Sequence, residues 1–122
     1  MAKRILLIED EPNIAEAIRF ILSRAGFGVD IHSDGRTALD AIAARAPHMV
    51  ILDVMLPNRS GYDILRDLRA APQTRTLPVL VLTARGQKKD RELAERIGAN
   101  RFITKPFANS ELLRSVIELT AP

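Results

Sequence analysis

Five short apolar segments, separated by stretches with helical spacing, restrict the fold of this chain more than any other feature. The segments cover residues 5–8, 29–32, 49–52, 79–82 and 102–104. Three of them, ILLI, MVIL and VLVL, are uninterrupted apolar runs, a pattern typical of strands covered on both faces in a parallel sheet. We therefore predict five short strands, most of them buried.

Helical periodicity fills the gaps between these segments. After the first segment, Ile14, Ile18 and Leu22 recur with the spacing of an amphipathic helix, and Gly26 predicts where that helix ends. Alternating strands and helices with short connections indicate right-handed crossovers and an α/β fold. We predict a doubly wound, five-stranded parallel sheet of order 2-1-3-4-5, the flavodoxin-like (βα)5 arrangement, in a single domain over residues 1–122.

Composition excludes several classes of protein. Hydrophobic residues make up 47% of the chain and charged residues 27%, which argues against disorder. The absence of cysteine excludes disulfides, cysteine metal sites and thiol chemistry. The apolar run before the first acids is too short for a signal peptide or a membrane span, so we expect a cytoplasmic protein.

The net charge of +3 comes from one segment. Residues 84–101 hold six basic and three acidic side chains, and the remainder of the chain is neutral. No recognition helix or aromatic pattern accompanies this charge, so we expect no direct binding to nucleic acid. A docking site for an acidic partner around Lys88 and Lys89 is one hypothesis. We favour the other, a solvated helix stabilised by ion pairs four residues apart. The expected pairs are Arg91 with Glu95 and Glu92 with Arg96.

Charged and polar residues follow four of the five predicted strands. Taken singly, each has an ordinary explanation, such as an acid at a helix start or a solvated lysine. The carboxyl ends of parallel strands meet at one edge, however, and carboxylates crowded there repel one another unless a cation or a proton intervenes. This pattern predicts a Mg²⁺ and phosphoryl site with a carboxylate nucleophile, a second cation and a hydroxyl donor. Its residues are Glu9, Asp10, Asp53, Thr83 and Lys105.

The motifs ILLIEDEP, VILDVMLPNRSG, LPVLVLTAR and ITKPF occur in this order and extend over nearly the whole chain. Together they closely resemble the receiver domain of bacterial two-component response regulators. The resemblance implies that Asp53 accepts a phosphoryl group from a histidine kinase or a histidine phosphotransfer protein. It also implies that Lys105 pairs with that group and that the Lys105–Pro106 bond is cis.

The resemblance further implies how Mg²⁺ is bound. Asp10 and Asp53 would bind the ion, with Glu9 assisting through water and the backbone carbonyl of Met55 supplying another ligand. Glu11 is expected only to start the first helix. Met55 and Arg85 flank the site, and we expect both to affect the lifetime of the phosphoryl group.

Thr83 and Phe102 match the family's switch pair, in which the hydroxyl moves to the phosphoryl group and the aromatic ring turns inward. The surface formed by helix 4, strand 5 and helix 5 would then control binding of a downstream partner. The lack of a ring hydroxyl on Phe102 favours an inward resting position. We expect a signalling domain and not an enzyme, apart from promotion of its own phosphorylation and dephosphorylation.

The chain looks most like the branch of the family that carries a winged-helix domain, but it departs from that branch at three positions. Asn100 and Arg101 stand where the branch usually has two acids that pair across a dimer, and Ser115 replaces a commonly basic residue. Arg91 and Glu111 keep another familiar pair. We therefore expect a monomer or a weak dimer that does not bind membranes, and we lean toward a stand-alone receiver over one cut from a longer regulator.

Three other functions are less consistent with the residues. A phosphatase of the haloacid dehalogenase type needs a second aspartate where this chain has Met55. Flavin or nucleotide binding needs a glycine-rich loop after the first strand, and carboxylates occupy that position. A receiver that has lost phosphorylation is disfavoured because every residue of the acceptor site is present.

Overall fold

The computed structural model describes residues 2–84 and 86–122, and in this part of the chain five strands alternate with five helices. The strands are β1 (Arg4–Ile8), β2 (Gly28–His32), β3 (Met49–Asp53), β4 (Val79–Thr83) and β5 (Arg101–Thr104). The helices are α1 (Pro12–Arg24), α2 (Ala38–Arg45), α3 (Gly61–Ala70), α4 (Lys88–Ile97) and α5 (Asn109–Thr120). One turn of 3-10 helix, Gly35–Thr37, precedes α2. The predicted alternation of strands and helices is confirmed.

All five strands are parallel and lie in the order β2-β1-β3-β4-β5, as predicted. β2 lies on one side of β1, and the later strands β3, β4 and β5 lie on the other side. The carboxyl ends of β1 and β3 therefore lie next to each other at the switch point of the sheet. The register aligns Asp53 with Leu82, and Thr83 with Thr104. Residues far apart in sequence thus reach the same edge of the sheet.

Two hydrophobic clusters cover the two faces of the sheet. Alternate residues of β1 divide between them, with Leu6 and Ile8 on one face and Ile5 and Leu7 on the other. Buried residues of α2, α3 and α4 complete the first cluster, and buried residues of α1 and α5 complete the second. Burial on both faces explains why the central strands read as continuous apolar runs.

Glycines end two of the helices. Gly26 follows α1 with φ +96°, and Gly98 follows α4 with φ +123°. Residues with a Cβ rarely adopt these left-handed conformations, so glycine permits the chain to leave each helix. The predicted end of the first helix at Gly26 is confirmed. Among the described residues, no helix is long and apolar enough to cross a membrane.

The surface of α4 differs from the predicted pattern of ion pairs. Within the described residues, its ion pair four residues apart joins Lys88 to Glu92, with Nζ 3.9 Å from Oε1. The predicted pairs of Arg91 with Glu95 and of Glu92 with Arg96 are wrong, whereas the pair of Arg91 with Glu111, expected from the dimer of the winged-helix branch, stays a prediction. Arg91 instead contacts Phe102 of β5. Exposed ion pairs each contribute only a few tenths of a kcal/mol, about 0.3–0.5, so a competing contact readily displaces them.

Candidate functional site

The three acids predicted at the strand ends lie together. Glu9, Asp10 and Asp53 each offer one carboxylate oxygen, and these three oxygens lie within 4.8 Å of one another. Glu9 and Asp53 are buried, with 1% and 3% of their surface exposed, whereas Asp10 is exposed. Such crowding concentrates negative charge at a position that solvent reaches from the Asp10 side.

The connection from β1 to α1 places these acids by backbone hydrogen bonds. The Glu9 N–H donates to the carbonyl of His32 at 3.0 Å, which extends the pairing of β1 with β2 by one residue. Glu11 caps α1, because its carboxylate accepts hydrogen bonds from the N–H groups of Asn13 and Ile14, each at 3.1 Å. Pro12 occupies the first turn, where no backbone donor is needed. The expectation that Glu11 starts the helix is confirmed.

Asp53 ends β3 and is held through both of its carboxylate oxygens. Oδ1 accepts a hydrogen bond from the N–H of Met55 at 3.1 Å, and Oδ2 accepts one from Lys105 Nζ at 3.2 Å. Gly61, at the start of α3, packs against the backbone of Asp53, and a Cβ there would clash with the Asp53 carbonyl oxygen. Glycine at this position therefore allows α3 to begin directly behind the aspartate.

Lys105 lies between two carboxylates. Its Nζ is 2.6 Å from Glu9 Oε1 and 3.2 Å from Asp53 Oδ2. The backbone N–H of Lys105 donates a hydrogen bond of 2.8 Å to the carbonyl of Thr83, and the following peptide bond to Pro106 is cis, as predicted. The short contact with Glu9 is one that sequence reasoning missed, since no spacing rule relates residues 9 and 105.

The charges at this site alter one another's proton affinity. Burial raises the pKa of Glu9, the nearby Asp53 raises it further, and Lys105 opposes the shift. Burial on its own lowers the pKa of Lys105, but the carboxylates of Glu9 and Asp53 outweigh it and raise this pKa above its ordinary value. Three carboxylates facing one ammonium group leave an excess of negative charge, which a divalent cation can neutralise.

The donor set fits Mg²⁺. This ion takes oxygen ligands, binds one or two carboxylates and keeps several waters. Glu9 Oε1 is buried and forms no hydrogen bond of regular geometry, so its charge is only partly compensated by the contact with Lys105. The exposed Asp10 and the buried Asp53 each provide an oxygen within 4.8 Å of an oxygen of Glu9.

Thr83 and Phe102, the predicted switch pair, share one face of the sheet. Val81 is aligned with Phe102 and Thr83 with Thr104, and every second residue of a strand points to the same side. Val81 and Phe102 both belong to the cluster that α2, α3 and α4 cover. Thr83 is fully buried, and 6% of the Phe102 surface is exposed. The ring is therefore inward in this structure.

Of the two residues expected to flank the site, Met55 can be placed. It follows Asp53 by two positions, and 54% of its surface is exposed. Its N–H contacts the Asp53 carboxylate, whereas the role of its carbonyl as a metal ligand stays a prediction. Arg85 lies outside the described residues.

A second loop supports the segment that follows Asp53, and sequence reasoning did not identify it. Asp34 Oδ1 accepts hydrogen bonds from Asn58 Nδ2 and from the N–H of Arg36, each at 2.9 Å, and the N–H of Gly35 donates to the carbonyl of Pro57. The hydrogen bonds from Asn58 and Arg36 lower the pKa of Asp34. The turn residues SDG and PNRSG mark both loops in the sequence, but they do not indicate that the loops contact each other.

Comparisons with known proteins agree with this geometry. A family model described as the response regulator receiver domain matches residues 5–117. The response regulator MprA of Mycolicibacterium vanbaalenii is 41% identical over 125 aligned positions, which cover 100% of this chain and 53% of that protein. This chain thus spans about half the length of that curated relative.

Two solved structures show the same fold. The crystal structure of a candidate response regulator from Chloroflexus aurantiacus is 34% identical, with a TM-score of 0.95 and complete coverage of both chains. The receiver domain of a sensor histidine kinase from Pseudomonas aeruginosa, which has a magnesium ion coordinated in its active site cleft, is 30% identical, with a TM-score of 0.90 and complete coverage of both chains. The predicted fold is confirmed, and the chain belongs to the family of response regulator receiver domains of two-component signalling.

Proposed function

We propose that this receiver domain is a phosphoryl-accepting switch in which Asp53 takes a phosphoryl group from a histidine kinase or a histidine phosphotransfer protein. The observation that carries the proposal is the environment of the Asp53 carboxylate. One oxygen contacts Lys105 Nζ, the other contacts the N–H of Met55, and the acids Glu9 and Asp10 lie beside it. Because the donor and the acceptor belong to intracellular signalling, the proposal places the chain in the cytoplasm.

The chemistry is a transfer between two covalent carriers. An oxygen of Asp53 forms a bond to phosphorus while the bond from phosphorus to the donor histidine nitrogen breaks, and that nitrogen takes up a proton as it leaves. The product is an acyl phosphate on Asp53. Catalysis of this kind of transfer depends mainly on positioning the two reacting groups and on neutralising the charge of the phosphoryl oxygens.

The residues of this site can supply both requirements. The hydrogen bonds from Lys105 and Met55 fix the orientation of the Asp53 carboxylate. The ammonium group of Lys105 also places a positive charge next to the transferred phosphoryl group. Mg²⁺ bound by Asp10 and Asp53, with Glu9 acting through water and the Met55 carbonyl as a further ligand, would neutralise charge on the phosphoryl oxygens. Glu9 also holds Lys105 in place through the 2.6 Å contact.

The output of the switch would reach a partner through Thr83 and Phe102. In the proposed transition, the Thr83 hydroxyl turns toward the phosphoryl group, and the position of the Phe102 ring is coupled to that movement. Both residues lie on the sheet face that α4 covers, so a change there would alter the packing of α4 against β5 and thereby the combined surface of α4, β5 and α5. A downstream partner that prefers one form of this surface would then respond to phosphorylation.

Intact-mass spectrometry tests the phosphoryl acceptor. The wild-type protein incubated with acetyl phosphate and Mg²⁺ should gain the mass of one phosphoryl group, and Asp53→Asn should gain none. Asp63→Asn is the matched control, because Asp63 is an aspartate on the surface of α3 whose carboxylate contacts only the neighbouring Arg66 among the described residues. It should be phosphorylated as the wild type is. An unmodified wild type, under conditions that label other receiver domains, would instead indicate a receiver that acts only as a binding module.

A further inference from the structure

Arg91 of α4 makes two contacts with a single residue of β5. Its guanidinium carbon lies 4.9 Å from the centroid of the Phe102 ring, a distance at which a cation is attracted to the face of an aromatic ring. Its Nη1 also donates a hydrogen bond of 3.3 Å to the Phe102 carbonyl. The two contacts hold one side chain against both the ring and the backbone of the predicted switch residue.

The contacted ring is part of the core, although Arg91 itself is exposed. Phe102 packs in the same cluster as Val81 of β4 and Ala94 of α4. Ala94 lies three residues after Arg91, so both residues are on the face of α4 that meets β5. The buried alanine leaves space for the ring, and the arginine covers the ring on its outer side.

Ion pairing within the chain does not explain the position of Arg91. Among the described residues, the ion pairs of the protein do not include Arg91, although acids lie four residues along α4 and at the start of α5. An arginine that needed only to be solvated or paired would have those alternatives. The guanidinium instead lies on Phe102.

A second arginine in the chain makes the same kind of contact in a different setting. Arg24 lies 5.5 Å from the centroid of Phe20, four residues earlier on α1. That ring has 60% of its surface exposed and packs into neither core cluster. The contact of Arg24 therefore lies on a largely exposed ring outside the core, whereas the contact of Arg91 covers a ring that is packed in the core.

We propose that Arg91 is a positioning residue that retains the Phe102 ring in its inward position before Asp53 is phosphorylated. The regulatory meaning of this role rests on the proposed function, in which the position of the ring is coupled to the phosphoryl site. A ring that turns outward loses its contact with the guanidinium of Arg91, which the hydrogen bond to the Phe102 carbonyl keeps beside the inward position. A cation–ring contact at an exposed position shifts such an equilibrium by about two- to five-fold, which biases the ring without locking it.

Fluorine NMR tests the position of the ring without any phosphoryl chemistry. The four phenylalanines are replaced by 4-fluorophenylalanine, and Phe102→Leu assigns the resonance of residue 102. In Arg91→Gln, which keeps a long polar side chain but no charge, this resonance should move toward the solvent-exposed position and become more sensitive to exchange of H₂O for D₂O. Arg91→Lys keeps the charge but lacks the planar group, and should give an intermediate shift.

Arg24→Gln is the matched control. It should change the resonance of Phe20 and leave that of Phe102 in place. An identical Phe102 resonance in the wild type, Arg91→Gln and Arg91→Lys would overturn the proposal. Because Arg91 is on the surface, we expect the variants to fold. If Arg91→Gln unfolds, the Phe102 resonance of Arg91→Lys is compared with that of the wild type instead.

Titration with beryllofluoride and Mg²⁺ tests the link to the phosphoryl site. If the inward ring favours the phosphorylated form, Arg91→Gln should need up to about two- to five-fold more beryllofluoride for half-saturation, because coupling between two sites is reciprocal. Equal affinity in the wild type and Arg91→Gln would overturn the regulatory part. A wild type that does not bind beryllofluoride would count against the proposed function and that coupling, while the fluorine measurement would still decide whether Arg91 holds the ring.

Discussion

Two partly buried cations lie at opposite edges of the sheet, and their surroundings have almost nothing in common. Lys105, at the carboxyl edge, contacts the carboxylates of Glu9 and Asp53. Arg69, at the end of α3, lies near the amino edge and contacts uncharged oxygens. It donates four hydrogen bonds of 3.0 Å, to the carbonyls of Gly98, Thr74 and Arg75 and to Oδ1 of Asn100.

The two cations differ accordingly in proton affinity. Burial lowers the pKa of Arg69, and no carboxylate among its described contacts opposes the effect. At Lys105 the two carboxylates outweigh burial and raise the pKa. The guanidinium of Arg69 is satisfied by uncharged oxygens, so among the described contacts it faces no unbalanced charge. The carboxyl edge keeps more negative charge than its lysine neutralises. The comparison indicates that one edge is built for stability and the other retains unbalanced charge for a ligand.

The largest effect should come from removing the arginine. Arg69→Ala deletes four hydrogen bonds that join the loop before β4 to the loop before β5. Hydrogen bonds from charged groups contribute more to the free energy of unfolding than those between neutral groups. We expect the free energy of unfolding to fall by about 3 kcal/mol in urea denaturation. Arg66→Ala is the matched control, since Arg66 lies on the same helix and, in the described part of the chain, its ion pair is an exposed one with Asp63. A loss as small as that of the control would show that the loops do not depend on Arg69.

Mg²⁺ should stabilise the carboxyl edge only. A ligand that binds the folded state alone adds about 2.7 kcal/mol to the free energy of unfolding at 100 times its Kd. Thermal or urea unfolding with Mg²⁺ and with EDTA should show this increment in the wild type and in Arg69→Ala, because the two edges are distant and independent. Asp10→Asn should reduce it. If Arg69→Ala lost the increment, the two edges would be coupled and the comparison would fail.

The difference between the edges also explains which features the sequence reveals. The strands, their order and the residues at their carboxyl ends were predictable, because burial on both faces imposes continuous apolar runs and parallel strands bring their ends to one edge. Acids and a lysine that directly follow such runs are easy to recognise in the sequence. The meeting of Glu9, Asp10, Asp53 and Lys105 at this edge could therefore be predicted from the sequence, whereas their roles stay predictions.

The amino edge gives no comparable signal. Arg69 is one of many arginines, and its partners lie up to 31 residues away, mostly as backbone carbonyls, which every residue type offers equally. The contact of Arg91 with Phe102 was missed for another reason. The pair of Arg91 with Glu95 has the spacing of known pairs, but the free-energy differences among such exposed contacts are a few tenths of a kcal/mol, about 0.2–0.5, and tertiary packing decides between them.

Removing one acid from the carboxyl edge should stabilise the protein when Mg²⁺ is absent. After burial, Asp53 is one of the causes that raise the pKa of Glu9, so Asp53→Asn relieves repulsion while Lys105 keeps its contact with Glu9. We expect a gain of about 0.5–2 kcal/mol in EDTA, as is common when a functional charge is removed. The surface variant Asp63→Asn should show no gain. A clear destabilisation of Asp53→Asn would mean that the contact of Asp53 with Lys105 outweighs the crowding of the acids.

The smallest effect should come from giving the amino edge the chemistry of the carboxyl edge. Asn100 Oδ1 accepts hydrogen bonds from Arg69 Nη2 at 3.0 Å and from the N–H of Val79 at 2.8 Å. Asn100→Asp keeps an acceptor in this place and adds a charge opposite the arginine. Because Asn100 is exposed, the new pair should be worth only about 0.2–1 kcal/mol in urea denaturation. Asn100→Ala, which removes the acceptor, should destabilise the protein.

An equal stability of Asn100→Asp and the wild type would show that carbonyl dipoles already satisfy Arg69 fully, and the contrast with Lys105 would become sharper. A gain that disappears in 1 M salt would show that a charge can still act at this edge, since screening weakens exposed pairs most.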